Sequence, residues 1–171
     1  MALVVETGVG LADADSFISL FDARAFAEKY GITLPTNDAA AEVALRQGCQ
    51  YVELQQNCFS GSRLTSTQAV SWPRTGATNA YGAEYADGDM PPRLGFAQVY
   101  AAAEYAAGKD VRASDDGLSV ASKEVTGAVA VSYFNNGKTG KSITITKSLD
   151  ALAPLMTSCS NNGFEFRVGR G

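Results

Sequence analysis

The sequence predicts an α+β protein, mainly α: a small helical bundle with a long ordered loop, then a C-terminal β-hairpin and extended arm. Three observations predict it. Apolar residues recur at helical spacing in three capped segments before residue 110; the period shortens to two after Asp115-Asp116-Gly117; residues 57–89 hold no sustained period. A chain of 171 residues, 46% of them hydrophobic, has enough apolar surface for one structural domain plus an appendage. The helical body takes residues 1–112, with the loop excursion at 57–89, and residues 113–171 form the hairpin, a short helix and the arm.

Each element follows from its local chemistry. Ser19-Leu20-Phe21-Asp22 fits a capping box, and the run after it ends at Gly31, where a residue free to adopt positive φ closes a helix over about 20–30. Pro35-Thr36-Asn37-Asp38 supplies caps for a second helix, in which Ala41, Leu45, Cys49 and Val52 make a buried stripe running to about Gln56. The Ser, Thr, Gly, Asn and Asp content of 57–89 predicts an ordered loop with one helical turn near Thr65–Val70. Pro91-Pro92 suits the first turn of a third helix that ends at Gly108. Val125, Val129, Val131 and Tyr133, then Ile143 and Ile145 beyond an Asn135-Asn136-Gly137 turn, read as a hairpin with one covered face. A short helix from Leu149 to about Thr157 is kinked by Pro154, and Phe164, Phe166 and Val168 alternate along an extended tail. Because two strands alone are marginal, this half must pack on the bundle or on a partner.

Composition narrows the function. Fourteen basic and eighteen acidic side chains give a net charge of −4, which opposes strong sequence-general binding to phosphate backbones. The charge is uneven: residues 1–60 carry three basic and eight acidic groups, residues 111–171 seven and five. No apolar run reaches membrane-spanning length and the first residues lack a signal-peptide pattern, so residence inside a cell without a membrane partner is expected. Cys49, Cys58 and Cys159 are odd in number with no CxxC spacing, so they read as small apolar residues rather than a disulfide framework or zinc site.

Histidine is absent, which excludes Ser-His-Asp and Cys-His catalysis. Gly140-Lys141-Ser142 matches the end of a phosphate-binding loop, but the first glycine of that motif would fall at Asn135, and a strand rather than a helix follows. Asp13/Asp15 and Asp87/Asp89 lack further ligands and read as turn and cap residues. The expectation is therefore no enzyme, no cofactor and no metal. Lys138, Lys141 and Lys147, with Arg167 and Arg170, are candidate phosphate contacts or simply a solvated turn. Tyr81, Tyr85 and Phe59 are stacking candidates, although Glu84, Asp87 and Asp89 make their surroundings negative and favour loop packing or contact with a protein neighbour. Trp72, the only tryptophan, stands in Ala69-Val70-Ser71-Trp72-Pro73-Arg74-Thr75-Gly76 beside a φ-fixing proline and an arginine suited to planar contacts. It is either an anchor for the loop or an interface hot spot. The interface candidates are Trp72, Arg74, Tyr81, Tyr85, Phe164, Phe166 and Arg167.

Six stretches in fixed order carry a resemblance over nearly the whole chain: Ala2–Glu6 with Gly10–Phe17, Glu42–Arg46 before Tyr51, and Thr67-Gln68-Ala69-Val70-Ser71-Trp72-Pro73-Arg74, the most specific piece, then Met90-Pro91-Pro92, Ser122–Tyr133 and Leu152-Ala153-Pro154-Leu155. By these the chain resembles a family of bacteriophage proteins catalogued as DnaT-like single-stranded-DNA-binding proteins, which look like head-to-tail connector adaptors. It departs from the pattern at Cys58–Arg63, where more basic residues are expected. The resemblance implies a virion protein, made in the host cytoplasm and placed in the neck. Copies of it would form a ring under the portal and contact the portal and a tail or second neck protein.

Charge and resemblance together favour a structural adaptor whose ring lets DNA pass without tight binding, since an acidic protein suits a conduit better than a grip. The alternative is a single-stranded-DNA-binding replication protein using Lys138, Lys141 and Lys147. A nucleotide-binding enzyme is a distant third.

Overall fold

Ser19 accepts a hydrogen bond from the Asp22 amide, and Gly31, at φ 64°, closes the same helix by donating to the Ala27 and Glu28 carbonyls. This is α1, Leu20–Tyr30, at the expected bounds. The computed structural model describes residues 2–109 and 145–157, together with the backbone of 122–123 and 131–132.

Helix α2, Asp38–Glu53, is capped by Asn37 and buries Ala41, Leu45, Cys49 and Val52, the stripe the sequence predicts. Helix α3 is Pro92–Ala106, with Pro92 in its first turn. These two helices meet closely because Gly48 has no side chain: a Cβ there would lie 2.2 Å from the Gln98 carbonyl oxygen. Gln98 is itself fully buried. Its Oε1 accepts from the Phe17 amide at 2.8 Å, and its Nε2 donates to Ser16 Oγ and the Leu45 carbonyl. One side chain thus ties α3 to α2 and to the N-terminal segment, satisfying groups that would be costly to bury unpaired.

The N-terminal segment is built around Glu6, only 4% exposed. Its carboxylate accepts from five successive amides, Thr7 through Leu11, at 2.8–3.1 Å. Asp15, one member of the first acidic pair, accepts from the Val4 amide and pairs with Arg46 on α2.

The long loop corrects the expected helical turn. A 3-10 turn lies at Gln56–Cys58, none lies at 65–70, and two short strands, β1 (Ser62–Arg63) and β2 (Arg74–Thr75), pair antiparallel. Residues 65–70 are organised instead by Gln68, whose Oε1 accepts from the Thr65 amide while its Nε2 donates to the Val70 and Pro73 carbonyls. Helix α2 also stops at Glu53, short of the expected Gln56.

The C-terminal part differs in two ways. Strands β3 (Ser122–Lys123) and β4 (Val131–Ser132) pair antiparallel, giving Val131 a partner on its N-terminal side that the sequence did not announce; the expected Asn135–Gly137 turn and Ile143 lie outside the described residues. Ile145 is no strand residue: it precedes helix α4, Thr146–Leu152, and packs with Tyr51 and Ala101. Helix α4 thus starts three residues before Leu149, and Pro154 falls in a 3-10 turn, Ala153–Leu155. Leu152 and Leu155 join Trp72, Leu94 and Val52 in the main core, so residues 145–157 are packed into the helical body. Phe59 and Met156 form an antiparallel bridge, and the Thr157 amide donates to the Cys58 carbonyl. Cys58 is disulfide-bonded, which corrects its reading as a plain apolar residue. Cys49 is free and buried among α-helical neighbours, and burial pushes its thiol far above the ordinary range.

Candidate functional site

Two helical pairs make the floor of the principal groove. Phe26 and Tyr30 stand one turn apart on α1, Phe96 and Tyr100 one turn apart on α3, so each pair shares a face. Phe26 stacks on Phe96 with ring centroids 4.4 Å apart and planes at 11°, and meets Tyr30 at 4.5 Å and Tyr100 edge-on at 5.7 Å. The groove above them has a volume of about 720 Å³. Gly31–Thr33 form one rim, Arg93 stands at the start of α3, and Lys147, Asp150 and Ala151 form the wall from α4.

That wall is fixed from several sides. Ser148 Oγ donates to the Ala97 carbonyl at 2.9 Å, and Arg93 reaches the Ala151 carbonyl. The Tyr51 hydroxyl accepts from the Ile145 amide at 2.7 Å; burial raises its pKa above the ordinary phenol value, which keeps it protonated at neutral pH.

The charges at this groove are distinctive. Arg24 pairs with Asp38, Arg46 with Asp15, Arg63 with Glu53 and Lys109 with Glu104. Arg74 is directed inward onto the carbonyls of Phe59, Ser60, Gly61 and Ser71. Among the described residues, Lys29, Arg93 and Lys147 remain without an ion pair. All three border the aromatic floor: Lys29 lies 5.5 Å over the Tyr30 ring, and the other two line the groove.

The residues singled out from the sequence fall elsewhere, with one exception. Trp72 is 1% exposed, with Phe59 at 6.0 Å and Tyr85 at 5.5 Å, both edge-on; its peptide bond to Pro73 is cis, and its indole N–H has no hydrogen-bond partner among the described residues. Trp72 and Arg74 therefore bear on any interface only through the loop shape they hold. Tyr85 packs against the core, while Tyr81 is 85% exposed. Lys147 is the exception, standing in the aromatic groove. Lys138, Lys141, Phe164, Phe166, Arg167 and Arg170 lie outside the described residues. Sequence reasoning missed Phe26, Tyr30, Phe96 and Tyr100, although the two i, i+4 aromatic pairs were a visible signal. Among the described residues no group of three or more His, Cys, Asp or Glu is arranged to hold a metal ion, and no helix is long and apolar enough to cross a membrane.

Fold and site together define a mainly helical α+β domain with an aromatic, cation-bordered groove at the meeting of α1, α3 and α4. Comparison with curated proteins and with solved structures finds no match. A family profile described as "Putative DnaT-like ssDNA binding protein" matches residues 1–171, and the chain belongs to that family.

Proposed function

We propose that this protein binds single-stranded DNA in the groove between α1, α3 and α4. The observation that carries the reading is the gathering of Lys29, Arg93 and Lys147, side-chain cations without an ion pair among the described residues, around one aromatic floor. Single-strand binders combine these two elements, because every base has a face to stack and every phosphate a charge to meet. The family's description supports the same reading. On this reading the protein's role calls for neither catalysis nor a cofactor. Acidic side chains outnumber basic ones in the chain, so binding is local and modest rather than a wrap along the whole surface.

Fluorescence anisotropy with a labelled single-stranded oligonucleotide tests it. With three phosphates neutralised, log affinity should fall against log salt with a slope of roughly −2. Arg93→Glu with Lys147→Glu should abolish binding and leave the circular dichroism spectrum unchanged. Absence of binding at low salt would overturn the reading.

A second reading, the head-to-tail adaptor of a phage neck, is favoured by a different observation. Phe21 and Tyr81 stand 81% and 85% exposed on an acidic protein, as contact points between copies in a ring or with a portal would. Co-sedimentation with tailless, DNA-filled heads separates the two. The adaptor saturates at one small ring of copies per head and shows little affinity for free strands.

A further inference from the structure

We infer that the groove selects unpaired bases bearing an exocyclic amino group, so that cytosine and the purines bind in preference to thymine. This rests on the single-strand reading above.

The observation behind it is the presence of carboxylates where a polyanion is to bind. Asp150 lines the groove from α4 and its carboxylate makes no hydrogen bond or ion pair among the described residues, although Lys147 precedes it by one helical turn. Glu104 also lines the groove, on α3 one turn beyond Tyr100, with Lys109 on one of its oxygens. Both would repel phosphate. Their place among Arg93 and Lys147 is intelligible if the cations meet the phosphates and the carboxylates meet the edges of bases turned inward over the rings.

An ionised carboxylate only accepts hydrogen bonds. Cytosine N4, adenine N6 and the guanine N1–N2 edge offer donors to it, and acidic side chains read cytosine N4 in this way. Thymine offers a single N3–H between two carbonyl oxygens, which a carboxylate repels. Aromatic stacking adds affinity for any base and leaves the choice to the acidic groups.

Anisotropy titrations with equal-length homo-oligonucleotides of cytosine, adenine and thymine test the inference. The expected result is binding of the cytosine and adenine strands about tenfold tighter than thymine, in the range of one good base-edge contact. Asp150→Asn keeps the shape of an exposed side chain and removes the charge. It should narrow the preference to about twofold and leave thymine binding equal or tighter. Lys147→Gln should weaken all three strands alike. Equal binding of the three strands by the native protein, or preference for thymine, overturns the base selection and leaves single-strand binding standing. Binding of none overturns both.

Discussion

Replacing Glu6 with Gln changes one atom's chemistry at nearly constant volume, so its cost isolates the charge and acceptor count of a single carboxylate. Oε1 accepts from Thr7, Gly8, Val9 and Gly10 at 2.9–3.1 Å, and Oε2 from Leu11 at 2.8 Å. Glutamine keeps its one oxygen where four amides converge and so turns its NH2 toward the Leu11 N–H. A buried donor facing a donor costs about 1–3 kcal/mol. The four surviving bonds lose charge assistance, which roughly doubles the strength of such bonds; because they share one oxygen, about 2 kcal/mol in all is reasonable. The total is about 3–5 kcal/mol. Urea unfolding should show a lower midpoint at unchanged slope. Hydrogen exchange should show where the loss acts: the Ala69 amide, bonded to the Leu11 carbonyl at 2.9 Å, loses protection before those of α2. A change below about 1 kcal/mol would refute the claim that this carboxylate organises the segment.

Four further outcomes follow from the packing. Trp72→Ala should cost about 3–5 kcal/mol by emptying the space between Phe59 and Tyr85, whereas Trp72→Phe, which removes an indole N–H with no partner, should cost about 1–2, both read by thermal unfolding. Arg74→Lys keeps the charge but cannot span the carbonyls of Phe59, Ser60, Gly61 and Ser71, and should lose about 2–3 kcal/mol in the same assay. Gly48→Ala places a methyl against the Gln98 carbonyl; about 2–3 kcal/mol of overpacking should outweigh the helix-propensity gain of about 1. Burial holds the Glu53 carboxyl above its ordinary value despite the Ser71 amide and hydroxyl that bond it. The folded state therefore holds that proton more tightly than the unfolded one, and the stability this group contributes is full below the ordinary carboxylate range and lost as pH rises through the raised value. Glu53→Gln should remove that part of the pH dependence of unfolding.

The helices were legible because their signals are local. Ser19, Gly31, Asn37 and Pro92 act within a turn of themselves, and the Ala41–Val52 stripe needs no knowledge of its partner. The loop interior was not legible, since Gln68 folds 65–73 by side-chain bonds that substitute for a helical turn. Ile145 illustrates a different limit: its alternation with Ile143 suits a strand, yet burial against Tyr51 and Ala101 at the head of α4 is the stronger demand. In the groove, each aromatic pair was visible on its own helix, but their convergence depends on how α1 crosses α3, which no local pattern encodes. Lys147 drew attention through its neighbours Lys138 and Lys141 in sequence, whereas Arg93 joins it at the groove only in space.

The groove also has a history within each molecule's making. Its floor is complete once Glu104 has been translated, but the wall bearing Lys147 and Asp150 comes later, after roughly 2–9 s at synthesis rates of about 5–20 residues per second. During that interval the growing chain carries stacked rings without the cation and the carboxylate that would choose an occupant. Ligand recognition is thus among the last properties the polypeptide acquires, and a chain cut short before α4 would lack both that wall and the Leu152 and Leu155 side chains of the main core.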